Sequence, residues 1–390
     1  MKKIWIGFWV FLLFFASVTP HAFAEEEKKP GDALNLAEKA SSAIVIERDT
    51  GEVLFEKDSD KSFPPASMTK IMTMLLIMEA IDEERLAYDD MVRVSERAAS
   101  MGGSQVFLEP GEEMTVEDML KAIAVASGND AAVAMAEHIA GSEDEFINRM
   151  NEKAKELGLE HTEFHNSNGL PVADHYTSAH DLAVMSKELL KYEEITQYTG
   201  IYEDYLRKGT DNEFWLVNTN KLVKFYPGVD GLKTGYTSEA KYGLTATAEK
   251  DGMRVIAVVM GAPTPKERNA QITAMLDYSF SQYSTTQMHE RGEVIQDVNV
   301  AKGEKDHVQA VVSEKVSILT KKGMKVDDAT VKADVNEQLQ APVKQNEVIG
   351  KLVVENDGDV LSETDLVAGE DVGEASWWTL VKRMMTKFGG

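Results

Sequence analysis

The 390-residue sequence contains no cysteine. That excludes disulfides, a thiolate nucleophile and cysteine-ligated zinc. Positive charge is also scarce: 41 Lys and Arg stand against 66 Asp and Glu, for a formal charge of -25. A nucleic-acid partner requires a basic surface, so that class is set aside. The acidic excess reads instead as a well-solvated exterior. The eight histidines include no His-Glu-x-x-His pair. His161 and His165 are four apart, with His175 and His180 nearby, but they form no recognisable zinc-peptidase ligand set. No metal and no organic cofactor is therefore expected. Met72, Met74 and Met78 read as core packing and not as a metal site.

What is present begins with a hydrophobic content of 43%, enough for a substantial core, on a chain long enough for more than one domain. Lys2 and Lys3, the apolar stretch Ile4 to Val18 and the small-x-small site Ala22-Phe23-Ala24 form a secretory signal peptide, residues 1–24. The apolar stretch is short for a membrane span. The mature chain is expected to start near Glu25 and to work outside the cytoplasmic membrane.

Ala43 to Arg48 and Val53 to Glu56 read as a hairpin around Asp49-Thr50-Gly51. Pro64-Pro65 then precedes a strongly helical run, Ala66 to Met78, apolar on nearly every side and so expected in the core. Capped helices follow from Thr115 to about Ala126, from Asp130 to Ala140, from Phe146 to Leu157 and from Ser178 to Leu190. Phe214 to Val217 is β-prone, Tyr242 to Met260 reads as a hairpin, and Pro263-Thr264-Pro265 starts a helix to about Tyr283. Strands, a helical block, then strands and a helix predict an α+β fold: an antiparallel sheet with flanking helices and a helical lobe, over residues 25–286. Short valine-rich runs and an Asn356-Asp357-Gly358 turn predict a small all-β domain over 287–372. In residues 373–390, Trp377, Leu380, Val381, Met384, Met385 and Phe388 share one helical face, opposite Lys382, Arg383, Thr386 and Lys387. That is the pattern of an amphipathic helix lying on a membrane surface, too short and too charged to span it; the alternative is a helix packed on the preceding domain.

Within the apolar helix, Ser67 and Lys70 are one turn apart at its N-terminal end, a hydroxyl and an amine on one face. Serine needs activation to act as a nucleophile, and a buried lysine next to a second cation loses its proton readily. Ser-x-x-Lys alone is a weak signal: Ser238-Glu239-Ala240-Lys241 repeats it, ahead of a strand-like run and not in a buried helix. Two further elements give the first copy weight. Ser127-Gly128-Asn129 interrupts the helical pattern 60 residues on, with a hydroxyl able to pass a proton and an amide able to grip a peptide group. Lys233-Thr234-Gly235 follows 106 residues later, supplying a cation and a glycine that permits close backbone approach.

Three motifs in this order resemble those of low-molecular-mass penicillin-binding proteins of the D-alanyl-D-alanine carboxypeptidase type, with a β-lactamase/DD-peptidase-like catalytic domain. The resemblance extends over the signal peptide, catalytic domain, β-rich domain and C-terminal helix. It is strongest to enzymes of spore-forming Gram-positive bacteria, which implies a role in cell-wall and spore-cortex maturation. The family implies removal of the terminal D-alanine from peptidoglycan pentapeptide through an acyl-serine, with β-lactams acylating the same residue. It assigns Ser67 as nucleophile, Lys70 as general base and Ser127 as proton shuttle. Substrate binding falls to Asn129, Lys233, Thr234, Gly235, Tyr236 and Arg268. Within that set Tyr236 contributes its backbone N–H, with that of Ser67, to the oxyanion hole, and Arg268 meets the terminal carboxylate. Two departures stand out: Ser-Gly-Asn replaces the Ser-Asp-Asn usual in β-lactamases, and Tyr236 stands where several relatives have histidine. No Glu-x-x-Leu-Asn pentapeptide is present to support fast deacylation. A DD-endopeptidase, a β-lactamase and a catalytically idle penicillin-binding scaffold remain the alternatives.

Overall fold

The computed structural model describes residues 35–388, apart from 325–328, 337 and 357–358. The expected signal peptide lies outside the described residues. A five-stranded antiparallel sheet organises the first part of the chain. Its order is Val53–Lys57, Ser42–Glu47, Met253–Ala262, Lys241–Lys250, Val229–Thr237. Side chains of a strand alternate between faces. Here both faces are covered, so the central strands read as continuous apolar runs. Ile44, Ile46, Ile256, Val258 and Met260 enter one core, shared with the helical lobe. Ala43, Val45, Val255, Ala257 and Val259 enter a second, shared with the helix Pro265–Gln282.

At the centre of the first core is the helix Lys70–Asp82, preceded by a single 3-10 turn, Ala66–Thr69. Ile71, Met72, Met74, Leu75, Ile77 and Met78 are all buried, which explains why the segment is apolar on every side. Ser67 therefore sits in the tight turn ahead of the α-helix, and not in the helix proper. The lobe is completed by the helices Val116–Ala124, Asn129–Ala140, Glu143–Glu156 and Ala179–Leu189. Thr115 and Ser178 cap their helices as expected, and Thr264 caps the helix Pro265–Gln282, each side-chain oxygen accepting from an N–H three residues on.

Two differences from the sequence-based expectation bear on the site. The helix expected from Phe146 starts at Glu143, capped by Ser142. Its first turn is Glu143-Asp144-Glu145, acidic residues that suit the positive end of a helix but carry no apolar signal. Secondly, the segment around Lys233 is a strand, Val229–Thr237, at the edge of the sheet. Its two glycines and its mixed polarity hid it. The second Ser-x-x-Lys falls at the turn that leaves this strand, with Ser238 and Lys241 exposed.

The helix Pro265–Gln282 runs directly into the strand Tyr283–His289, which pairs with Val316–Lys321. A six-stranded sheet follows, ordered Thr330–Val335, Val348–Asn356, Asp359–Ala368, His307–Val312, Val294–Ala301 and Gln338–Gln340. Both sheets contribute to one core that includes Val298, Val308, Val316, Ile318 and Leu366. The β-rich part is tied to the first part by Asp49, whose carboxylate accepts from Ser317 Oγ at 2.6 Å and lies 3.0 Å from Lys315 Nζ. The last helix, Trp377–Phe388, leaves Trp377 and Trp378 exposed, while Arg383 donates to the carbonyls of Gly303 and Glu304.

Candidate active site

The 3-10 turn brings Ser67 to the floor of a cleft of about 510 Å³. Ser127, Thr234, Gly235, Tyr236 and Arg268 line the same cleft, joined by Ser104, Thr219, Lys221 and Tyr242. A larger cavity of about 880 Å³ lies at the opposite sheet edge, against Val53–Lys57, and contains none of these residues. Lys70, Asn129 and Lys233 are buried beneath the cleft. Seven of the nine expected residues thus come from segments distant in sequence from Ser67 and Lys70, and all nine converge on one place.

Lys70 Nζ has three neighbours. It lies 2.6 Å from Asn129 Oδ1, 2.6 Å from the carbonyl oxygen of Asn168 and 3.2 Å from Ser67 Oγ. A neutral amine has two N–H bonds and one lone pair. The two oxygens without a proton to give, Asn129 Oδ1 and Asn168 O, take the two N–H bonds. The lone pair is left facing the Ser67 hydroxyl, the only one of the three that can donate. Complete burial pushes the Lys70 ammonium well below its ordinary range, and the Lys233 cation pushes it further; the Asp130 carboxylate opposes both. Burial, with Arg268 adding to it, lowers Lys233 to about 7. Arg268 is itself lowered to about 10 by burial. The pocket thus concentrates cations where water is excluded, a setting that both frees Lys70 of its proton and attracts a carboxylate.

Asn129 differs in detail from the expectation. Its Oδ1 holds Lys70, and its Nδ2 donates to the carbonyl of Gly102 at 2.7 Å. Both ends of the amide are engaged inside the protein, which leaves the second Nδ2 hydrogen as the one it can offer a substrate amide. Ser127 adopts a positive φ of 64°, and its buried hydroxyl has no partner in the described structure. Such an unpaired buried hydroxyl is rare, and here it faces the cleft. Thr234 Oγ1 donates to Thr219 Oγ1 at 2.8 Å. The Tyr236 ring stacks on Tyr242, with centroids 4.4 Å apart, and is more than half exposed.

Two glycines permit this convergence. A Cβ on Gly235 would come within 2.7 Å of the Pro65 carbonyl, so a side chain here would hold the edge strand off the Ser67 turn. A Cβ on Gly169 would meet the Ala66 carbonyl oxygen at 1.9 Å, and Gly169 has a φ of +87°. Sequence reasoning missed Asn168, Gly169, Gly102, Ser104 and Thr219. The turn-rich stretch His165 to Pro171 marked a loop, but a backbone carbonyl acceptor leaves no trace in residue type. Among the described residues, no three or more His, Asp or Glu side chains form a group able to hold a metal ion.

A family model described as D-alanyl-D-alanine carboxypeptidase matches residues 26–264, and one described as penicillin-binding protein 5, C-terminal domain, matches residues 283–374. The chain is 57% identical over 382 residues to D-alanyl-D-alanine carboxypeptidase DacF of Bacillus subtilis (strain 168), covering 97% of each. It is 32% identical over 346 residues to DacA of Escherichia coli (strain K12), covering 87% of this chain and 85% of that one. Among solved structures, penicillin-binding protein 5 from Haemophilus influenzae aligns with a TM-score of 0.66 at 31% identity, over 86% of this chain and 98% of that one. Penicillin-binding protein D2 from Listeria monocytogenes, in its ampicillin-bound form, aligns with a TM-score of 0.56 at 31% identity, over 62% of this chain and 98% of that one. The chain belongs to the D-alanyl-D-alanine carboxypeptidase family, the serine-type low-molecular-mass penicillin-binding proteins. It has their α+β catalytic fold followed by the all-β C-terminal domain.

Proposed function

We propose that this chain removes the terminal D-alanine of peptidoglycan pentapeptide through an acyl-enzyme on Ser67. The observation that carries the assignment is the Lys70 amine, buried, depressed by Lys233, and held by two acceptors so that its lone pair meets Ser67 Oγ. Lys70 takes the Ser67 proton as Oγ attacks the carbonyl carbon of the penultimate D-alanine. The oxyanion of the tetrahedral intermediate is received by the backbone N–H groups of Ser67 and Tyr236. Collapse breaks the peptide bond, and Ser127 Oγ relays the proton from Lys70 to the departing amine. Water then gives a proton to Lys70 and attacks the ester; collapse returns that proton to Ser67 Oγ. Thr234 and Arg268 hold the terminal carboxylate, Lys233 supplies the positive potential, and Asn129 offers its second Nδ2 hydrogen to the substrate amide. A β-lactam opens by the same attack, its ring nitrogen taking the place of the leaving amine.

The residues divide into a catalytic part ending near 286, a β-rich part to 372 and the C-terminal helix. In this reading the enzyme acts at the outer face of the cytoplasmic membrane, in cell-wall maturation that includes the spore cortex. The N-terminal segment carries it across. The amphipathic pattern after residue 373 holds it to the surface, a reading supported by the exposure of Trp377 and Trp378. No helix among the described residues is long and apolar enough to cross a membrane.

The purified mature chain should release D-alanine from a pentapeptide ending in D-Ala-D-Ala, and Ser67→Ala should abolish both release and labelling by a fluorescent penicillin. Labelling that survives Ser67→Ala would refute the assignment. Cleavage of cross-linked dimer in preference to monomer would make it a DD-endopeptidase, and labelling without release an idle scaffold.

A further inference from the structure

Behind the nucleophile, outside the cleft, lies a chain of hydrogen bonds whose every proton can be assigned. The backbone N–H of His165 donates to His175 Nδ1 at 2.9 Å. Nδ1 is therefore the unprotonated nitrogen, and the proton of the neutral ring sits on Nε2. Nε2 is 2.8 Å from Thr69 Oγ1 and donates to it. With that lone pair filled, the Thr69 hydroxyl donates its own proton to the Ala66 carbonyl at 2.9 Å. His175 is buried in T-shaped contact with Phe164, and burial, with His165 adding to it, lowers it to about 4, so the ring is neutral near pH 7.

The end of this chain is what gives it meaning. A peptide group is planar and trans, so the direction of the Ala66 C=O fixes the direction of the Ser67 N–H on the other side of the same plane. That N–H is the oxyanion donor in the reading given above. Ala66 itself has a φ of +49°, a left-handed conformation that a side-chain-bearing residue holds only when its surroundings impose it. Gly169 lets the Ala66 carbonyl approach but makes no hydrogen bond to it in the described structure. Beside the backbone bonding of the 3-10 turn itself, the Thr69 hydroxyl, oriented by His175, is the side chain that pulls on the oxygen and trims its angle.

We propose that His175 is a positioning residue for acylation: through Thr69 it holds the Ala66–Ser67 peptide plane so that the Ser67 N–H points at the developing oxyanion. The proposal rests on the assignment of Ser67 as nucleophile. It predicts that the loss falls on the acylation step and not on the non-covalent binding that precedes it, because the oxyanion exists only after attack. Misaiming one oxyanion donor, short of deleting it, should slow acylation by about 10- to 100-fold.

The test uses stopped-flow acylation of the mature enzyme by a fluorescent penicillin, which separates the pre-acylation dissociation constant from the acylation rate constant. His175→Leu and Thr69→Val should each lower the rate constant by about 10- to 100-fold. The dissociation constant should stay within about threefold. His175→Gln supplies an Oε1 to accept from His165 and an Nε2 to donate to Thr69, and should recover most of the rate. The double variant His175→Leu with Thr69→Val should be no slower than the slower single variant, because both cut one chain. Parental acylation rates in folded His175→Leu, or a His175→Gln variant as slow as the leucine variant, would overturn the proposal. So would rate losses that multiply in the double variant. Should His175→Leu fail to fold, Thr69→Val and His175→Gln decide the matter alone. Absence of penicillin labelling in the parent enzyme would instead overturn the nucleophile assignment, and the proposal with it.

Discussion

Replacing Gly169 by alanine separates two effects that usually arrive together. Alanine at φ +87° occupies the left-handed region, which costs about 1–2 kcal/mol. For a catalytic part of about 250 residues that lowers the melting temperature by about 2–4 °C. The new Cβ also lands 1.9 Å from the Ala66 carbonyl oxygen, where real contacts stay beyond 3.0 Å. Either the loop or the Ser67 turn must retreat by about 1 Å, and a displacement of that size at a reacting group costs about 100-fold in rate. Gly158 provides the control. It too has a positive φ, +68°, but nothing lies within 4 Å of its would-be Cβ. Gly158→Ala should therefore show the fall in melting temperature without the loss of rate. The assay is the second-order rate of acylation by a fluorescent penicillin, read beside a thermal melt for each variant. A Gly169→Ala enzyme that acylates as fast as Gly158→Ala would show that the loop does not hold the nucleophile turn at this distance.

The other expectations concern charge and the C-terminus. Lys233→Met removes a cation that lowers Lys70, so the acid limb of the acylation pH profile should move to higher pH; Asp130→Asn removes the opposing carboxylate and should move it to lower pH. An unchanged limb in both would refute the electrostatic account of Lys70. Because the folded-state value of Lys233 is about 7, below its ordinary 10.5, the unfolded chain binds more protons between these values, and this group's stability, present above 10.5, is lost as pH falls toward 7. Lys233→Met should therefore be more stable than the parent, by a margin that is largest near pH 7 and shrinks toward pH 10 in denaturant titrations. Finally, Trp377→Ala with Trp378→Ala should weaken binding to anionic vesicles at least about tenfold if the last helix lies on the membrane. Sedimentation with vesicles reads this directly, and equal partitioning of variant and parent would sink the idea.

Most of the candidate site was legible because the chemistry proposed for it lies in side chains. Ser67, Lys70, Ser127, Asn129 and Lys233 announce themselves by type and order, and helices capped by Thr115, Ser178 and Thr264 follow from local hydrogen bonding. What escaped is non-local or carried by the backbone. The Asn168 carbonyl lies as close to Lys70 Nζ as Asn129 Oδ1 does, yet it is 98 residues away and any residue could supply it. The strand Val229–Thr237 exists because Lys241–Lys250 pairs with it and because Gly235 must approach Pro65, neither of which is a periodic pattern. His175 looked like one of several unremarked histidines until Thr69 and His165 were placed on either side of it.

The sheet with a core on each face has a consequence for folding fidelity. In a sheet with one wet face, a slip of one residue buries polar groups and is rejected at once. The strand Met253–Ala262 has no such safeguard, since Val255, Ala257 and Val259 on one side and Ile256, Val258 and Met260 on the other are all apolar. A slipped strand would differ from the correct one mainly in volume, offering valine and alanine where isoleucine and methionine belong. Register must then be proofread at the strand's end. The tight turn from Lys250 to Met253, with Asp251 and Gly252 both at positive φ, fits only one pairing of the two strands it joins.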